Sequence, residues 1–345
     1  MLVAERTISF RHLFATELAG FLQSEGLGYE SALVAIGEIV IALARYREEG
    51  EALFPEVFVC NDAASAMEKL GGTSRVTLGT TTLDGEGVRI ALKRAAPLSS
   101  PGWCVLFEVH PSEAALHYGL TRIDPFVLKP RAMDRLRDAE SRCERPLLGI
   151  AQMAENVIEL RSSRDVFRHV YLSGARTDDE LGPRVVDRLT SRLGADLASN
   201  TRDAVQAFWR RILGDALRSP HGSLVAVVRT DSEAQARFPD AAHLDPIVDV
   251  AAQIETYLSR HDEGSRAAVQ GLASLVSRML RADGITVVRG DGAVLACEAF
   301  IAHSARSSMA GGARRRTYET LAADVTSGTL LAAFYRSQDG AAKAI

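Results

Sequence analysis

The distribution of apolar residues predicts helices and short strands in both halves of the chain. In the first half, helical spacing extends over residues 10–23 and 29–47. Segments rich in β-branched and aromatic residues, bounded by Gly, Pro, Asn or Asp, predict strands at 56–60, 76–79, 88–92 and 103–109. Asn61 is placed to cap a helix over residues 62–70, which Gly71-Gly72 would end. These elements predict an α+β unit.

The second half of the chain also alternates between helices and strands. A long helical pattern over residues 184–217 leads into an apolar strand, Ser223–Val228. A further helix over 265–280 precedes strands at 285–288, 294–300 and 329–335. A Pro- and Arg-rich connector occupies 129–145, and no sequence repeat is visible. We therefore predict an α/β fold with two domains, residues 1–165 and residues 166–345.

Composition and charge exclude several classes of protein. The chain has 345 residues, enough for two cores, and its net charge of -4 argues against a protein that coats DNA. The first 12 residues have no apolar signal core, and no stretch reaches the roughly 20 apolar residues that cross a bilayer. We expect a cytoplasmic protein with no membrane partner and no sequence-specific DNA partner. The four cysteines have no metal-site or disulfide spacing and are expected to be buried and reduced: Cys60, Cys104, Cys143 and Cys297.

The pair Asp283-Gly284 lies where a predicted helix ends and a buried strand begins. A carboxylate at such an edge, beside a glycine that lets a ligand approach the backbone, suits a divalent metal ion on a polyphosphate. The same pair is also a common turn sequence, so an ordinary turn is the alternative. A second pair, Asp291-Gly292, lies between two predicted strands at hairpin spacing and is predicted to be a turn.

A glycine-led arginine cluster occupies residues 311–316, with the sequence Gly-Gly-Ala-Arg-Arg-Arg. Arg314, Arg315 and Arg316 precede a helical pattern at 317–323. Backbone N–H groups at a helix start, together with guanidinium groups, form an anion pocket. A solvated basic turn, or a patch for RNA or a membrane, is the alternative.

His221 comes just before the first strand of the second half. A histidine there either contacts a ligand at the sheet edge or makes a structural hydrogen bond. The other histidines have no partners at catalytic spacing. The sequence contains no Walker A, GxGxxG, GxSxG or HExxH motif.

The order of these segments resembles a known family. The strand Ser223–Val228, then Asp283-Gly284, then residues 312–316 and a closing strand before Asp339-Gly340 follow one another over residues 180–345. This order is similar to the diadenylate cyclase (DAC) domain, as found in the DNA-integrity-scanning protein. In that family an Asp-Gly-Ala triplet opens a strand and a Gly-Thr-Arg-His-Arg segment binds phosphate. The resemblance implies a central mixed sheet flanked by helices.

The resemblance also implies roles for individual residues. Asp283 matches the aspartate that binds metal and orients a ribose 3′-hydroxyl, and Gly284 matches its glycine. Gly312, Arg314 and Arg316 match the glycine and arginines that bind phosphate. Mg²⁺ or Mn²⁺ would accompany the nucleotide.

Departures from the family pattern favour a binding role over catalysis. Ile285, Ala313 and Arg315 replace alanine, threonine and histidine, and the Ser-Glu that follows the motif in the enzymes has no match. Segments 92–98, 102–103 and 116–120 also look like the first part of DACNV-type sensor proteins. That branch implies a sensor of ATP or a cyclic dinucleotide in a bacterial stress or conflict response. A protein effector would act through the first domain, and a homodimer is compatible with this interpretation.

Two other functions stay open at this point. An active diadenylate cyclase would condense two ATP molecules into cyclic di-AMP between facing protomers, with Asp283 and the arginines positioning the reactants. A non-binding interaction module on the same fold would use none of these groups. Function depends on the site rather than on the fold, so the family pattern does not decide among the three.

Overall fold

The chain divides into two compact units, each with a mixed sheet between helices. The computed structural model describes residues 10–136, 145–154, 156–164, 166–172, 183–219, 221–229, 237–301, 312–338 and 341–345. The first unit comprises Met1–Pro125 and Pro130–Gly174, and the second comprises Phe126–Lys129 and Ala175–Ile345. The predicted α/β class is confirmed. Among the described residues, no helix has the length and apolar content to cross a membrane.

The first unit contains a seven-stranded sheet. Its helices are α1 (Phe10–Ser24), α2 (Glu30–Leu43), α3 (Ala63–Leu70), α4 (Gly85–Ala95) and α5 (Ala132–Arg135). Its strands are β1 (Arg47–Glu48), β2 (Glu51–Ala52), β3 (Glu56–Cys60), β4 (Gly72–Thr82), β5 (Trp103–His110), β6 (Ala115–Ile123), β7 (Leu147–Ala154), β8 (Val157–Ser162) and β9 (Phe167–Tyr171). The sheet order is β4-β6-β5-β3-β7-β8-β9, whereas β1 and β2 form a separate ribbon.

Alternation along the central strand gives this sheet two packed faces. Val57 and Val59 of β3 pack with α1, α2 and α4, whereas Phe58 packs with α3 and α5 on the other face. Successive side chains of a strand point to opposite faces, so a strand covered on both sides is apolar throughout. Helix α3 is capped by Asp62, which accepts from the Ser65 N–H, and not by Asn61 as predicted.

The second unit contains a six-stranded sheet. Its helices are α6 (Pro183–Thr190), α7 (Ser199–Arg218), α8 (Val250–Arg260), α9 (Glu263–Met279) and α10 (Ala313–Thr326). Its strands are β10 (Ser223–Val228), β11 (Ala242–Val248), β12 (Ile285–Arg289), β13 (Val294–Ala299), β14 (Ala332–Arg336) and β15 (Ala342–Ala344). The sheet order is β11-β13-β12-β10-β14-β15. Helices α6 to α9 cover one face, and α10 covers the other.

The two units share one topology, although the sequence shows no repeat. Numbered within each unit from the central strand β3 or β10, both sheets have the order 2-4-3-1-5-6, and the first adds β9 at one edge. In both, the first and third strands run parallel and the other neighbouring pairs run antiparallel. The third strand of each begins directly after a glycine with positive φ, Gly102 at 94° and Gly284 at 98°. The units are two versions of one fold.

One predicted strand is a helix. Residues 88–92 lie in α4, which Asp84 caps by accepting from the Gly87 N–H at 2.7 Å. The buried residues of α4 recur at helical spacing: Gly87, Val88, Ala91, Leu92 and Ala95. Tertiary packing of this stripe outweighs the β propensity of Val88 and Ile90.

Other predicted boundaries shift for identifiable reasons. The single helix expected over 184–217 is two helices, α6 and α7, separated by a turn in which Gly194 has a φ of 77°. The boundary expected after residue 165 falls just before β9, which pairs with β8 in the first sheet. The connector expected at 129–145 precedes β7, a strand that pairs with β3 at the centre of that sheet.

The cysteines are described in part. Cys60 and Cys104 are buried free thiols, and Cys297 is a half-buried free thiol. Burial is the largest cause that raises the pKa of Cys60 to about 12. Cys143 lies outside the described residues.

Candidate functional site

A cavity of about 1000 Å³ opens at the ends of the central strands of the second sheet. It lies where β10 and β12 begin and where β13 and β14 end, and the first turn of α10 lies beside it. The lining residues are Leu224, Asp283, Gly284, Ile285, Ala299, Phe300, Ile301, Gly312, Ala313, Arg314, Arg315, Thr317, Tyr335, Ser337, Gln338, Ala341 and Lys343.

Gly284 fixes the backbone where β12 enters the cavity wall. Its φ is 98°, a region that side-chain-bearing residues rarely adopt. A Cβ at this position would lie 2.9 Å from the carbonyl oxygen of Ala299 on β13. Asp283 directly precedes Gly284, and 86% of its side chain is exposed.

Arg314 connects the start of α10 to Asp283. Its Nη2 donates to Asp283 Oδ1 at 2.6 Å, and 29% of the arginine side chain is exposed. The same side chain lies close to the backbone at Gly222, where a Cβ would be 3.1 Å from Arg314 Cδ and 3.2 Å from Nη1. A glycine before β10 thus leaves the space that this guanidinium occupies.

The first turn of α10 is strongly basic. Gly312 is the N-cap and provides no side-chain cap, and the first turn has no acidic residue. Instead it contains Arg314, Arg315 and Arg316. A helix N-terminus has a partial positive charge, and cations placed there raise the energy of the helix. The arrangement is suited to an anion at this end of α10.

The cavity also has an apolar wall. Phe300, at the end of β13, is 59% exposed although it is a large aromatic residue. Ile285 is a buried residue of the same lining, and Tyr335 packs on Tyr318 with ring centroids 5.5 Å apart. Burial is the largest cause that raises the pKa of Tyr318 to about 12, so this phenol is neutral at physiological pH. An exposed aromatic ring beside cations can stack with a planar ligand group.

The structure brings together most of the predicted site residues. Asp283, Gly284, Gly312, Arg314 and Arg315 line the cavity. The helix expected at 317–323 begins at Ala313, so the arginines form its first turn instead of preceding it. Gly311 and the expected turn Asp339-Gly340 lie outside the described residues.

Two predicted site residues do not line the cavity. Arg316 and His221 are not among the described residues that line the cavity. The side chain of His221 is exposed, and its backbone carbonyl accepts from Nη1 of the buried Arg336 at 3.1 Å. His221 therefore contributes to the structural hydrogen bonding at the head of β10.

Sequence patterns missed several lining residues. Lys343 lies on β15, a strand of three residues that is too short to give a recognisable pattern. Ser337 and Gln338 follow β14 and reach the cavity because β14 lies beside β10. Phe300 was within a predicted strand, and no sequence pattern distinguishes an exposed phenylalanine from a core residue.

The lining is poorly suited to hold a divalent cation without a ligand. Asp283 is the single carboxylate among the described lining residues. Mg²⁺ prefers several oxygen ligands and usually shares them with phosphate groups and water. Any Mg²⁺ or Mn²⁺ here would depend on oxygens supplied by a bound phosphate.

No family model matches the chain, and neither the curated proteins nor the solved structures give a match.

Proposed function

We propose that the second unit binds a nucleotide, ATP or a cyclic dinucleotide, in this cavity and acts as a sensor. The observation that carries the proposal is the first turn of α10. It faces the cavity with Arg314 and Arg315, without an acidic residue or a side-chain cap. A phosphate group would offset both the helix dipole and the clustered guanidinium charges.

Charges around the cavity support an anionic ligand. Arg314, Arg315 and Lys343 supply three cations, and Asp283 supplies one carboxylate. The carboxylate holds Arg314 in place at 2.6 Å while most of its own surface remains in solvent. Phosphate oxygens can replace it as the acceptor for Arg314, because guanidinium groups bind carboxylate and phosphate with the same geometry.

The apolar wall supports a ligand with an aromatic base. Phe300 offers an exposed ring face, and the cavity of about 1000 Å³ is at the upper end of the usual range for small-molecule sites. Base stacking on aromatic side chains is common in nucleic-acid-binding proteins and tolerates different bases. A ligand with both phosphate and base would use both the cations and the exposed aromatic ring of the lining.

A sensor is preferred to a cyclase because the described lining offers only one carboxylate. A cyclase would use Asp283 for metal and ribose, and no second carboxylate is among the described lining residues to share the metal. Binding would instead shift the protein between conformations, by an amount equal to the difference in ligand affinity between them. The first unit would then transmit the signal to a protein effector.

The test is a binding panel with the full chain. ATP, ADP, cyclic di-AMP and inorganic pyrophosphate are titrated by calorimetry, with and without Mg²⁺. We expect Arg314→Ala and Arg315→Ala each to weaken the best nucleotide by about tenfold or more, the loss of a charge-assisted hydrogen bond. Arg278→Ala is the matched control, since Arg278 is an exposed arginine of α9 outside the cavity. No binding by any nucleotide would contradict the proposal and favour an interaction module.

Two further measurements separate the proposal from the family pattern. The resemblance implies phosphate binding by Arg314 and Arg316, whereas the cavity lining favours Arg314 and Arg315. A larger loss of affinity for Arg316→Ala than for Arg315→Ala would favour the family pattern.

Incubation with ATP and Mg²⁺ or Mn²⁺, followed by chromatography with mass detection, tests catalysis. Formation of cyclic di-AMP that disappears in Asp283→Ala would make the protein a cyclase.

A further inference from the structure

A second cluster of chemically active side chains lies in the first unit, on β5 and β6. Glu108 and His110 are two positions apart on β5, so both point to the same face of the sheet. His117 of β6 is directly opposite Glu108 in the antiparallel register. Side chains at such cross-strand positions are neighbours on one face. The strand pairing therefore brings two imidazoles and one carboxylate together.

The distances within this Glu-His-His cluster are short. One potential ligand atom from each residue lies within 4.8 Å of the other two. His110 Nε2 and Glu108 Oε2 are 4.0 Å apart, and the two imidazole centroids are 4.5 Å apart. Ligand atoms around a tetrahedral zinc ion lie about 3.4 Å apart, given bonds of about 2.1 Å. Small side-chain rotations would bring the three atoms to that spacing.

The Nε2 atom of His110 is buried and makes no hydrogen bond to any residue that the structure describes. Buried polar atoms in folded proteins are nearly always hydrogen-bonded, because an unsatisfied one has lost its interactions with water. The nearest carboxylate oxygen, at 4.0 Å, is too distant to accept a hydrogen bond. A metal ion between Glu108 and His110 would satisfy this nitrogen.

Two hydrogen bonds hold the Glu108 carboxylate in place. Its Oε1 accepts from the Ala63 N–H at the start of α3, and its Oε2 accepts from Arg75 Nη2, each at 2.9 Å. Each carboxylate oxygen still has a second lone pair for a metal. Such outer partners orient a ligand without replacing the ion.

We propose that Glu108, His110 and His117 bind one first-row divalent transition-metal ion, with Zn²⁺ as the ion that this ligand set fits best. Imidazole nitrogen and carboxylate oxygen are typical zinc ligands, and three protein ligands leave a coordination position open for water. Mg²⁺ and Ca²⁺ are disfavoured because they prefer oxygen ligands throughout. The proposal is independent of nucleotide binding in the second unit.

The site is particular to the first unit. In the second sheet, the corresponding strands β12 and β13 are shorter and are joined by the tight turn at Asp291-Gly292. Conversely, Pro101 precedes Gly102 where Asp283 precedes Gly284, so the first unit lacks the carboxylate of the second. The shared topology therefore supports different chemistry at opposite ends of the equivalent strands.

The test uses the full chain after removal of metal with a chelator. Zn²⁺ is titrated in competition with a chromophoric chelator, and bound metal is counted by mass spectrometry. We expect one Zn²⁺ per chain, and at least about tenfold weaker binding in His110→Ala, His117→Ala and Glu108→Gln. His261→Asn is the matched control, because it removes an imidazole from the second unit and asparagine tolerates the left-handed φ of 53° at that position.

A second measurement keeps the proposal testable if a variant folds poorly. Co²⁺ added to the unmodified protein should give the visible absorption of a four- or five-coordinate ion with nitrogen ligands, and Zn²⁺ should displace it. Absence of stoichiometric Zn²⁺ binding, or an equal loss of binding in His261→Asn, would overturn the assignment. Folding of each variant is checked by circular dichroism before titration.

Discussion

Asp283 and Arg314 form an ion pair in the lining of the cavity in the second unit. Their side chains meet at 2.6 Å, although the aspartate is 86% exposed and the arginine 29% exposed. The two residues are 31 positions apart, so the contact depends on the fold and not on local sequence. If a ligand binds at the proposed nucleotide site, Asp283 would compete with it for the Arg314 guanidinium.

Asp283→Asn should strengthen the binding of a metal-free phosphate ligand. The variant keeps the shape of the side chain but removes the negative charge that pairs with the Arg314 guanidinium. Exposed ion pairs contribute about 0.2–1 kcal/mol, so the expected gain in affinity is at most about fivefold. Calorimetry with pyrophosphate and ATP in EDTA measures it.

The same variant separates a metal role for Asp283 from a purely electrostatic one. If the aspartate helps to hold Mg²⁺, the increase in ATP affinity caused by Mg²⁺ should disappear in Asp283→Asn. Weaker binding in EDTA as well would contradict the competition between Asp283 and the ligand. Arg278→Ala, outside the cavity, should change neither value.

The central strands were predictable because their sequences are distinctive. Residues 57–60 and 224–228 are continuous apolar segments bounded by polar or small residues, and the structure places both at the centre of a sheet. The turn at Asp291-Gly292 was also predicted and is found between β12 and β13, where Gly292 has a φ of 92°. Strong local patterns of this kind reflect burial on both faces.

Peripheral strands gave no comparable pattern. Strand β8 contains Glu159 and Arg161, which are each only 3% exposed and form an ion pair with each other. Charged residues normally indicate a solvated surface, so a buried pair conceals a strand. The shared topology was hidden from the sequence for another reason. The two units have the same strand order and a glycine before the third strand, but most of their side chains differ.

The residues of the two candidate sites were not equally predictable from the sequence. Asp283, Arg314 and Arg315 were found from local composition, and the cavity then added Lys343 and Phe300 through strand pairing and loop placement. The Glu-His-His cluster was missed, because the residues are separated by two and seven positions and no helix or loop motif has this spacing. Only the antiparallel register shows that His117 faces Glu108.

Gly284→Ala should destabilise the second unit. The substitution places a Cβ 2.9 Å from the Ala299 carbonyl oxygen in a backbone with a φ of 98°. A residue forced into such a conformation loses about 1–3 kcal/mol of unfolding free energy. Urea unfolding followed by circular dichroism measures the change.

Gly271→Ala is the matched glycine substitution. Gly271 lies in the middle of α9, is exposed, and a Cβ there meets no atom within 4 Å. Alanine should therefore stabilise the helix by roughly 0.5–1 kcal/mol. Destabilisation of similar size by both substitutions would argue against a special role for the backbone at Gly284.

Asp262 should contribute stability that depends on pH. It caps α9, and the Ser265 N–H, at 2.7 Å, is the largest cause that lowers its pKa. A carboxyl group whose pKa is lower in the folded state stabilises the protein above its unfolded pKa of about 3.9, and that contribution is lost as pH falls through the folded pKa. Asp262→Ala should thus unfold at lower urea concentration at pH 7, with a smaller difference below pH about 4.

Asp262→Asn provides the comparison for this titration. Asparagine also caps helices well but does not ionise in this range. Its stability relative to Asp262→Ala should therefore stay constant with pH, whereas that of the unmodified protein should change. A difference between the unmodified protein and Asp262→Ala that does not vary with pH would show that the carboxylate charge is unimportant for the cap.

Phe300→Ala should weaken binding of a nucleotide but not of its phosphate part. The ring is 59% exposed at the end of β13 and lines the cavity that also contains Arg314 and Arg315. Stacking of a base on an aromatic side chain contributes about 1–3 kcal/mol, so the affinity for ATP or cyclic di-AMP should fall by about 5- to 150-fold. Pyrophosphate has no base, and its affinity should be unchanged.

The control for Phe300→Ala is Leu275→Ala. Leu275 is also an exposed apolar residue of the second unit, 42% accessible on α9, and it lies outside the cavity. Parallel titrations of ATP and pyrophosphate on both variants distinguish base stacking from a general effect on folding. Equal losses for ATP and pyrophosphate in Phe300→Ala would mean that the ring supports the cavity wall and does not contact a base.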